Sequence, residues 1–315
     1  MHGALHITNG DSVELRETGL GGEVLTWRDM LHEGPVPAGL TLDELRPVRA
    51  RFLADLSGTA ELEVLADLER RDRTLARFAE FEEVVLWFEH DLYDQLQLIQ
   101  IVDWLARQER GGVNLSLICT GTYLGMSRPA ELRALYPTRR AVAVEQFALA
   151  SRAWEAFSSA DPKALVELIR EDTSALPYLH GALLRHLEQF PSVRNGLSRT
   201  ERQILEIVEG GASRAGDLFR ADQACEERVF MGDLAFFSHV RRLAAGRRPL
   251  LEITGALSAV GTSALAITPA GTAVLHGAAD AVNLNGIDRW LGGVRLHGGK
   301  VWRWNGENQT LVPPL

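Results

Sequence analysis

The sequence predicts an α/β protein with a parallel sheet in its first part and a smaller, helix-rich second part. Three observations carry that reading. Through the first 125 residues, apolar β-favouring runs alternate with helical stretches, the pattern of parallel strands joined by crossover helices. At 315 residues the chain exceeds what one core usually supports, so two domains are expected. Beyond residue 196 the pattern changes to three short helices followed by two β-like runs.

Four strands are expected in the first part, at Ala4–Thr8, Glu23–Trp27, Glu83–Phe88 and Val113–Cys119. A helical stretch, Leu42–Glu80, separates the second from the third. After the third, Gln95–Leu105 places Leu98, Ile101, Val102 and Leu105 at i, i+3, i+4 and i+7, one face of a helix. Residues 141–195 read as a helical connector, with a cap at Asp161-Pro162-Lys163-Ala164 and breakers at Pro177 and Pro191. Ser198-Arg199-Thr200-Glu201 is a capping box that opens a helix carrying Ile204, Leu205 and Val208. A second helix starts at Ser213, and a third runs from Asp233 to Ala245 and stops at Gly246. Leu250–Thr254 and Ala264–Thr268 then read as strands, and Pro269–Leu275 as a short helix. The order suggests four regions: a Rossmann-like α/β domain (1–140), the connector (141–195), a winged helix-turn-helix (196–280) and a Gly/Trp-rich tail (281–315). The tail is expected to form a hairpin around His297-Gly298-Gly299-Lys300, with Trp290, Trp302 and Trp304 covering the edge of the winged helix.

Composition excludes several classes. With 46% hydrophobic and 24% charged residues the chain has the balance of a soluble globular protein, not of a disordered one. No apolar run approaches the roughly 20 residues needed to cross a bilayer, and the start lacks the order of a signal peptide, so no membrane partner and a cytoplasmic location are expected. Cys119 and Cys225 lie far apart, which argues against a disulfide or a cysteine zinc site and for two buried small hydrophobes. Residues 1–195 hold 20 Lys+Arg against 30 Asp+Glu, net −10, and residues 196–315 hold 13 against 12, net +1. General affinity for phosphate backbones is thereby confined to the second part.

Ligands of open parallel sheets bind beyond the carboxyl ends of the strands. Here each expected strand is followed by polar residues: Asn9-Gly10-Asp11-Ser12, then Arg28-Asp29 running on to His32-Glu33, then Glu89-His90-Asp91, then Thr120 with Tyr123. Turns favour some of these types for backbone reasons, yet four such clusters on one edge point to a site. Asp11 or Ser12 is expected to cap the helix that follows. Gly10-Asp11-Ser12 resembles the first block of the lipase-like hydrolases named for Ser, Gly, Asn and His, and Asp29 and His32 have the Asp-x-x-His spacing. That pair, however, comes only seventeen residues after Ser12, whereas in those hydrolases it lies near the end of the catalytic domain. Glu89-His90-Asp91 with Asp94 has metal-ligand types but no strong metal spacing, so Asp91 is expected as a helix cap and no metal is assigned.

Leu5–Ser12, Trp27-Arg28-Asp29 with Glu33-Gly34-Pro35, and Trp87–Asp91 with Asp94-Gln95-Leu96 together resemble the bacterial family called domain of unknown function 1835. The resemblance covers roughly the first 125 residues, and Gly286–Gly293 looks like the tail of relatives with the same two-part layout. It implies the domain but no reaction, and it transfers no catalytic residues.

The sequence therefore leads to a domain that binds a small anionic ligand, phosphorylated or nucleotide-like, and hydrolyses it. Arg28 would hold the anion, with Asn9, Gly10, Asp11, Ser12, Glu89, Thr120 and Tyr123 around it; His90 or His32 with Asp91 or Asp29 would transfer protons. No cofactor and no oligomeric state follow from the residues. The competing reading is a ligand-responsive regulator whose winged helix meets DNA or a protein through His239, Arg241, Arg242, Arg247 and Arg248.

Overall fold

The computed structural model describes residues 2–257 and 263–314. They divide into two compact units, 1–183 and 184–315.

In the first unit, β1 (His2–Thr8), β2 (Glu23–Thr26), β4 (Phe81–Phe88), β5 (Asn114–Cys119) and β6 (Arg140–Ala141) form one sheet in the order β2-β1-β4-β5-β6; β3 (Gly34–Pro35) is a two-residue segment outside it. The first four sheet strands are parallel and β6 is antiparallel to β5. From β1 the chain moves to one side to make β2, then returns across β1 to make β4 and β5 on the other. The strand order therefore reverses at β1 and β4, the place where open α/β sheets form a crevice. Val84–Phe88 of β4 are buried without interruption, as a central parallel strand covered on both faces requires.

The expected helical stretch before β4 is two helices, α1 (Leu42–Ser57) and α2 (Glu61–Ala76), broken at Gly58, whose φ of +74° ends α1 in the left-handed conformation. A capping box of Thr41 and Glu44 starts α1. The helix after β4, α3 (Leu92–Ala106), begins three residues earlier than its apolar periodicity suggests, because Asp91 caps it by accepting from the Asp94 N–H at 3.1 Å. It is buried on nearly every side, Gln95, Gln97 and Gln100 included. A short helix, α4 (Pro129–Leu135), precedes β6. In the connector, α5 (Val144–Ser158) packs on α3, followed by α6 (Lys163–Leu168) and α7 (Leu179–Leu187). The segment after β1 is a single turn of 3-10 helix, Leu15–Thr18, with Glu14 before it and no side-chain cap, so neither Asp11 nor Ser12 has the capping role expected of it.

The second unit starts its helices in the expected order: α8 (Arg199–Glu209) behind the Ser198–Glu201 capping box, α9 (Ala215–Cys225) and α10 (Asp233–Ala244). The antiparallel pair β7 (Leu251–Thr254) and β8 (Ala264–Ile267) follows, then α11 (Pro269–Leu275) and α12 (Ala281–Asn285). The tail corrects the expected hairpin. Its turn lies at Gly292-Gly293, between β9 (Ile287–Gly292) and β10 (Val294–Gly298), and 297–300 only ends β10. A second hairpin joins β11 (Arg303–Asn305) to β12 (Thr310–Val312), and Trp304, buried, donates its backbone N–H to Pro191. Both cysteines are free; Cys119 is half-buried and Cys225 is exposed, against the expectation that both are core residues.

Candidate functional site

Thr8 ends β1 and Phe88 ends β4, so Asn9 and Glu89 leave the sheet side by side at the strand-order reversal. Glu89, Asp91 and Asp94 bring carboxylate oxygens within 4.8 Å of one another, and all three residues are buried. Asn9 ties the cluster to β1: its side-chain N–H donates to Asp94 Oδ2 at 2.6 Å and to Glu89 Oε1 at 3.3 Å. Backbone donors complete the set. The Glu89 N–H donates to Asp94 Oδ1 at 2.7 Å, and the Leu124 N–H donates to Glu89 Oε1 at 2.7 Å.

These donors are neutral, and the carboxylates' nearest charges are one another. Burial therefore raises all three acids. Asp91 is pushed up to about 7, first by desolvation, with the Glu89 charge adding to it and the Asp94 N–H opposing. Asp94 stands well above the ordinary carboxylate range by burial and by the charges of Asp91 and Glu89. Burial also raises Glu89, against the N–H groups of Leu124 and Gly125 and the amide of Asn9. Three carboxyl groups this close share protons, or they share a cation. The donor set is all oxygen, which suits a hard divalent cation of the Mg2+ or Ca2+ type and not zinc held by sulfur or nitrogen.

The remaining expected residues fall into three groups. His90 belongs with the cluster: its ring lies 4.9 Å from that of Tyr123 and 5.8 Å from that of Tyr178. Arg28, Asp11, Ser12 and Gly10 form an outer rim beyond β1 and β2, where the Arg28 guanidinium donates to Asp11 at 2.6 Å and both side chains are exposed. Arg28 has φ +35°, which a non-glycine residue adopts at a cost of roughly 1 kcal/mol or more. Thr120, beyond β5, exchanges a 2.9 Å hydroxyl hydrogen bond with Thr122.

Asp29 and His32 are the third group, and their placement corrects the proton-transfer role expected for Asp29. Its carboxylate accepts from Arg49 Nη2 at 2.7 Å and Nε at 3.0 Å, and both residues are fully buried. Arg49 also donates to the carbonyls of Met30 and Glu33, so the Asp29–Arg49 pair holds the loop after β2 in shape. The stacking of Arg71 over Trp27 at 3.9 Å closes the same loop from the α2 side. His32 is buried with its ring 5.9 Å from that of Tyr93, whose hydroxyl donates to the Asn9 carbonyl. It stands one layer behind the carboxylates.

Sequence reasoning missed Tyr178, which comes from the connector and has no motif around it, and Tyr93. It weighed Asp94 only as a metal ligand, although its i, i+3 spacing from Asp91 across the start of a helix was legible.

In the second unit, the residues expected to meet nucleic acid are separated. His239 is fully buried, and Ala235–Val240 are buried on all sides of α10, so that stretch presents no face to a groove. Arg242 is half-buried and donates to Ser238 at 3.2 Å. Arg241, Arg247 and Arg248 are exposed, with Arg247 donating to the Leu284 carbonyl. Among the described residues no helix is long and apolar enough to cross a membrane. No protein-family model and no curated protein sequence matches the chain.

Proposed function

We propose that the first unit is a Rossmann-like catalytic domain that binds a small molecule with an anionic end and hydrolyses it at the crevice between β1 and β4. The observation that carries this is the Glu89–Asp91–Asp94 cluster, three buried acids within 4.8 Å at the strand-order reversal. Structural ion pairs rarely leave three carboxylates facing each other, whereas sites that move protons near neutral pH are built this way. The ligand's anionic end belongs at the rim, against Arg28 and the backbone of Gly10, because an anion at the cluster itself would be repelled. Its scissile centre then faces the acids. An ionised carboxylate takes a proton from water as the water oxygen bonds to the electrophilic centre, and a protonated neighbour returns a proton to the oxygen that leaves. Where a divalent cation is bound, Glu89, Asp91 and Asp94 hold it and it supplies charge to the ligand's oxygens.

The test is a thermal-shift and hydrolysis panel of nucleotides and phosphorylated metabolites, with and without Mg2+, on the wild type, Arg28→Ala and Asp91→Asn. A ligand at about 100 times its dissociation constant stabilises by about 2.7 kcal/mol. The expected result is a compound that shifts the wild type, shifts Arg28→Ala less, and is turned over by neither variant. No shift with any compound overturns the reading.

A second reading concerns residues 196–280. Three helices precede the β7–β8 pair, and Ser213–Ala215 adds to β8 through Leu265 N–H to Ser213 O at 2.9 Å and Ala215 N–H to Ser263 O at 3.2 Å. This supports a winged-helix arrangement with a third strand. The burial of α10 favours a module that binds a small molecule or a protein over one that reads DNA. Fluorescence titration with duplex DNA at low salt, expected to show no saturable binding, tests that preference.

A further inference from the structure

We infer that a cavity in the second unit is an independent binding site for a small neutral molecule with a mainly hydrocarbon surface, and that it selects against ions of either sign. The cavity measures about 490 Å3, within the roughly 300–1,000 Å3 typical of small-molecule sites. It lies among the start of α8, the end of α10, α12 and the β9–β10 hairpin, and Leu197, Leu243, Leu250, Val282 and Ile287 are among the residues that line it.

The polar groups of the lining are already engaged. Its acids, Glu201 and Asp288, stand against two arginines, Arg242 and Arg289, so the lining carries no excess charge of either sign. Glu201 is held twice: Oε2 accepts from the Ser198 N–H at 2.8 Å and Oε1 accepts from Arg289 at 3.3 Å. Arg289 donates its other terminal nitrogen to the Gln189 carbonyl, and Arg242 donates to Ser238 at 3.2 Å. Burial by itself would raise the Glu201 carboxyl; Arg289, His239, the Ser198 N–H and Arg242 together hold it below the ordinary carboxylate range, so both lining arginines serve an acid already in place. Asp288, exposed at the mouth, accepts from Arg295 at 3.2 Å and lies 3.3 Å from His297 Nδ1. The Asn285 amide is closed as well, accepting from the Arg248 N–H at 2.8 Å and donating to the Arg248 carbonyl at 2.9 Å. The backbone follows the same rule: the N–H groups of Ala245, Leu250 and Gly286 donate to the carbonyls of Arg242, Leu243 and Val282. An ion entering the cavity would give up hydration without gaining a counter-charge, and a molecule rich in hydrogen-bonding groups would leave them against leucine and valine. A neutral carbon skeleton loses little water and buries apolar surface.

An occupant would touch both α10 and the β9–β10 hairpin within this unit, and the site does not depend on the carboxylates of the first unit. The experiment is calorimetric titration of the full chain with naphthalenemethanol, naphthoate and naphthylmethylammonium, substituted at the same ring position, so that the three share a skeleton and differ in charge. The alcohol is expected to bind with a dissociation constant of about 1 mM or tighter, and each ion at least about tenfold more weakly. Ile287→Trp enlarges a wall residue whose cross-strand partner is Gly298, so the ring has room to enter the cavity, and it should abolish binding of the alcohol. Arg28→Ala should leave that binding unchanged. Glu201→Gln keeps the capping box, which Gln completes as Glu does, but removes the charge that Arg242 and Arg289 serve. In that variant naphthoate should gain on the alcohol by at least about tenfold, and the ammonium should not. Circular dichroism checks that each variant is folded; the order of the three compounds on the wild type stands as a test without them. No binding of the alcohol, an ion that binds as tightly as the alcohol, undiminished alcohol binding in folded Ile287→Trp, or an unchanged order in folded Glu201→Gln would overturn the inference.

Discussion

Replacing Asp91 with Asn removes one charge from the acid cluster and keeps the helix cap, because Asn is as good an N-cap as Asp. In the wild type, Asp91 goes from an ordinary value near 4 in the unfolded chain to about 7 in the fold, chiefly by burial. Between those values the native state holds a proton that the unfolded chain has released, so stability falls as pH rises through that window. For a single group with these two values, the loss between about pH 5 and about pH 8 is about 2.5 kcal/mol. Glu89 and Asp94 are raised in the same sense and add to the slope. In Asp91→Asn the Asp91 part vanishes, and the repulsion felt by the other two weakens. The variant is therefore expected to match the wild type near pH 5 and to exceed it by about 2 kcal/mol near pH 8, roughly 4–8 °C in melting temperature for a unit of this size. Thermal melts by circular dichroism across that range, in buffers with chelator, read the difference directly. Wild type and variant curves that run parallel between pH 5 and 8 would refute the claim that buried, mutually repelling acids define this site.

Three further outcomes follow from the same geometry. At about pH 8, millimolar Mg2+ or Ca2+ should raise the melting temperature of the wild type and leave Asp91→Asn unmoved, since the ion replaces the shared proton; equal shifts in both proteins would place any bound ion elsewhere. Arg49→Ala should cost about 3–5 kcal/mol in urea denaturation, because it leaves the buried carboxylate of Asp29 only the more distant Arg71 at 3.8 Å, and a loss under about 1 kcal/mol would mean that the loop after β2 is held by other contacts. Gly125→Ala should destabilise by about 1–3 kcal/mol, because its new Cβ would sit 2.4 Å from Ser12 Oγ and 2.9 Å from Ser12 Cβ, and Ser12→Gly should restore most of the loss; no recovery in the double variant would show the contact is not the cause.

Local chemistry in the sequence was enough to set the strands β1, β2, β4 and β5, the cap of α3 at Asp91, the capping box of α8 and the span of α11. Each is decided within a few residues, by apolar runs, by a side chain that can reach its own backbone, or by proline at a helix start. The polar strand ends were legible for the same reason, since one edge of a parallel sheet collects whatever follows its strands. The roles within that edge were not. Asp29 and Asp91 look alike as a carboxylate near a histidine, but Arg49, twenty residues further on, reaches Asp29 and pairs with it, while Asp91 meets N–H groups and two more acids. Likewise His239 and Arg241 lie two positions apart on α10, and only the packing around that helix puts one in the core and leaves the other in water. Burial and charge pairing depend on contacts between segments far apart in the chain, and those contacts decide which acid faces other acids and which is neutralised by an arginine.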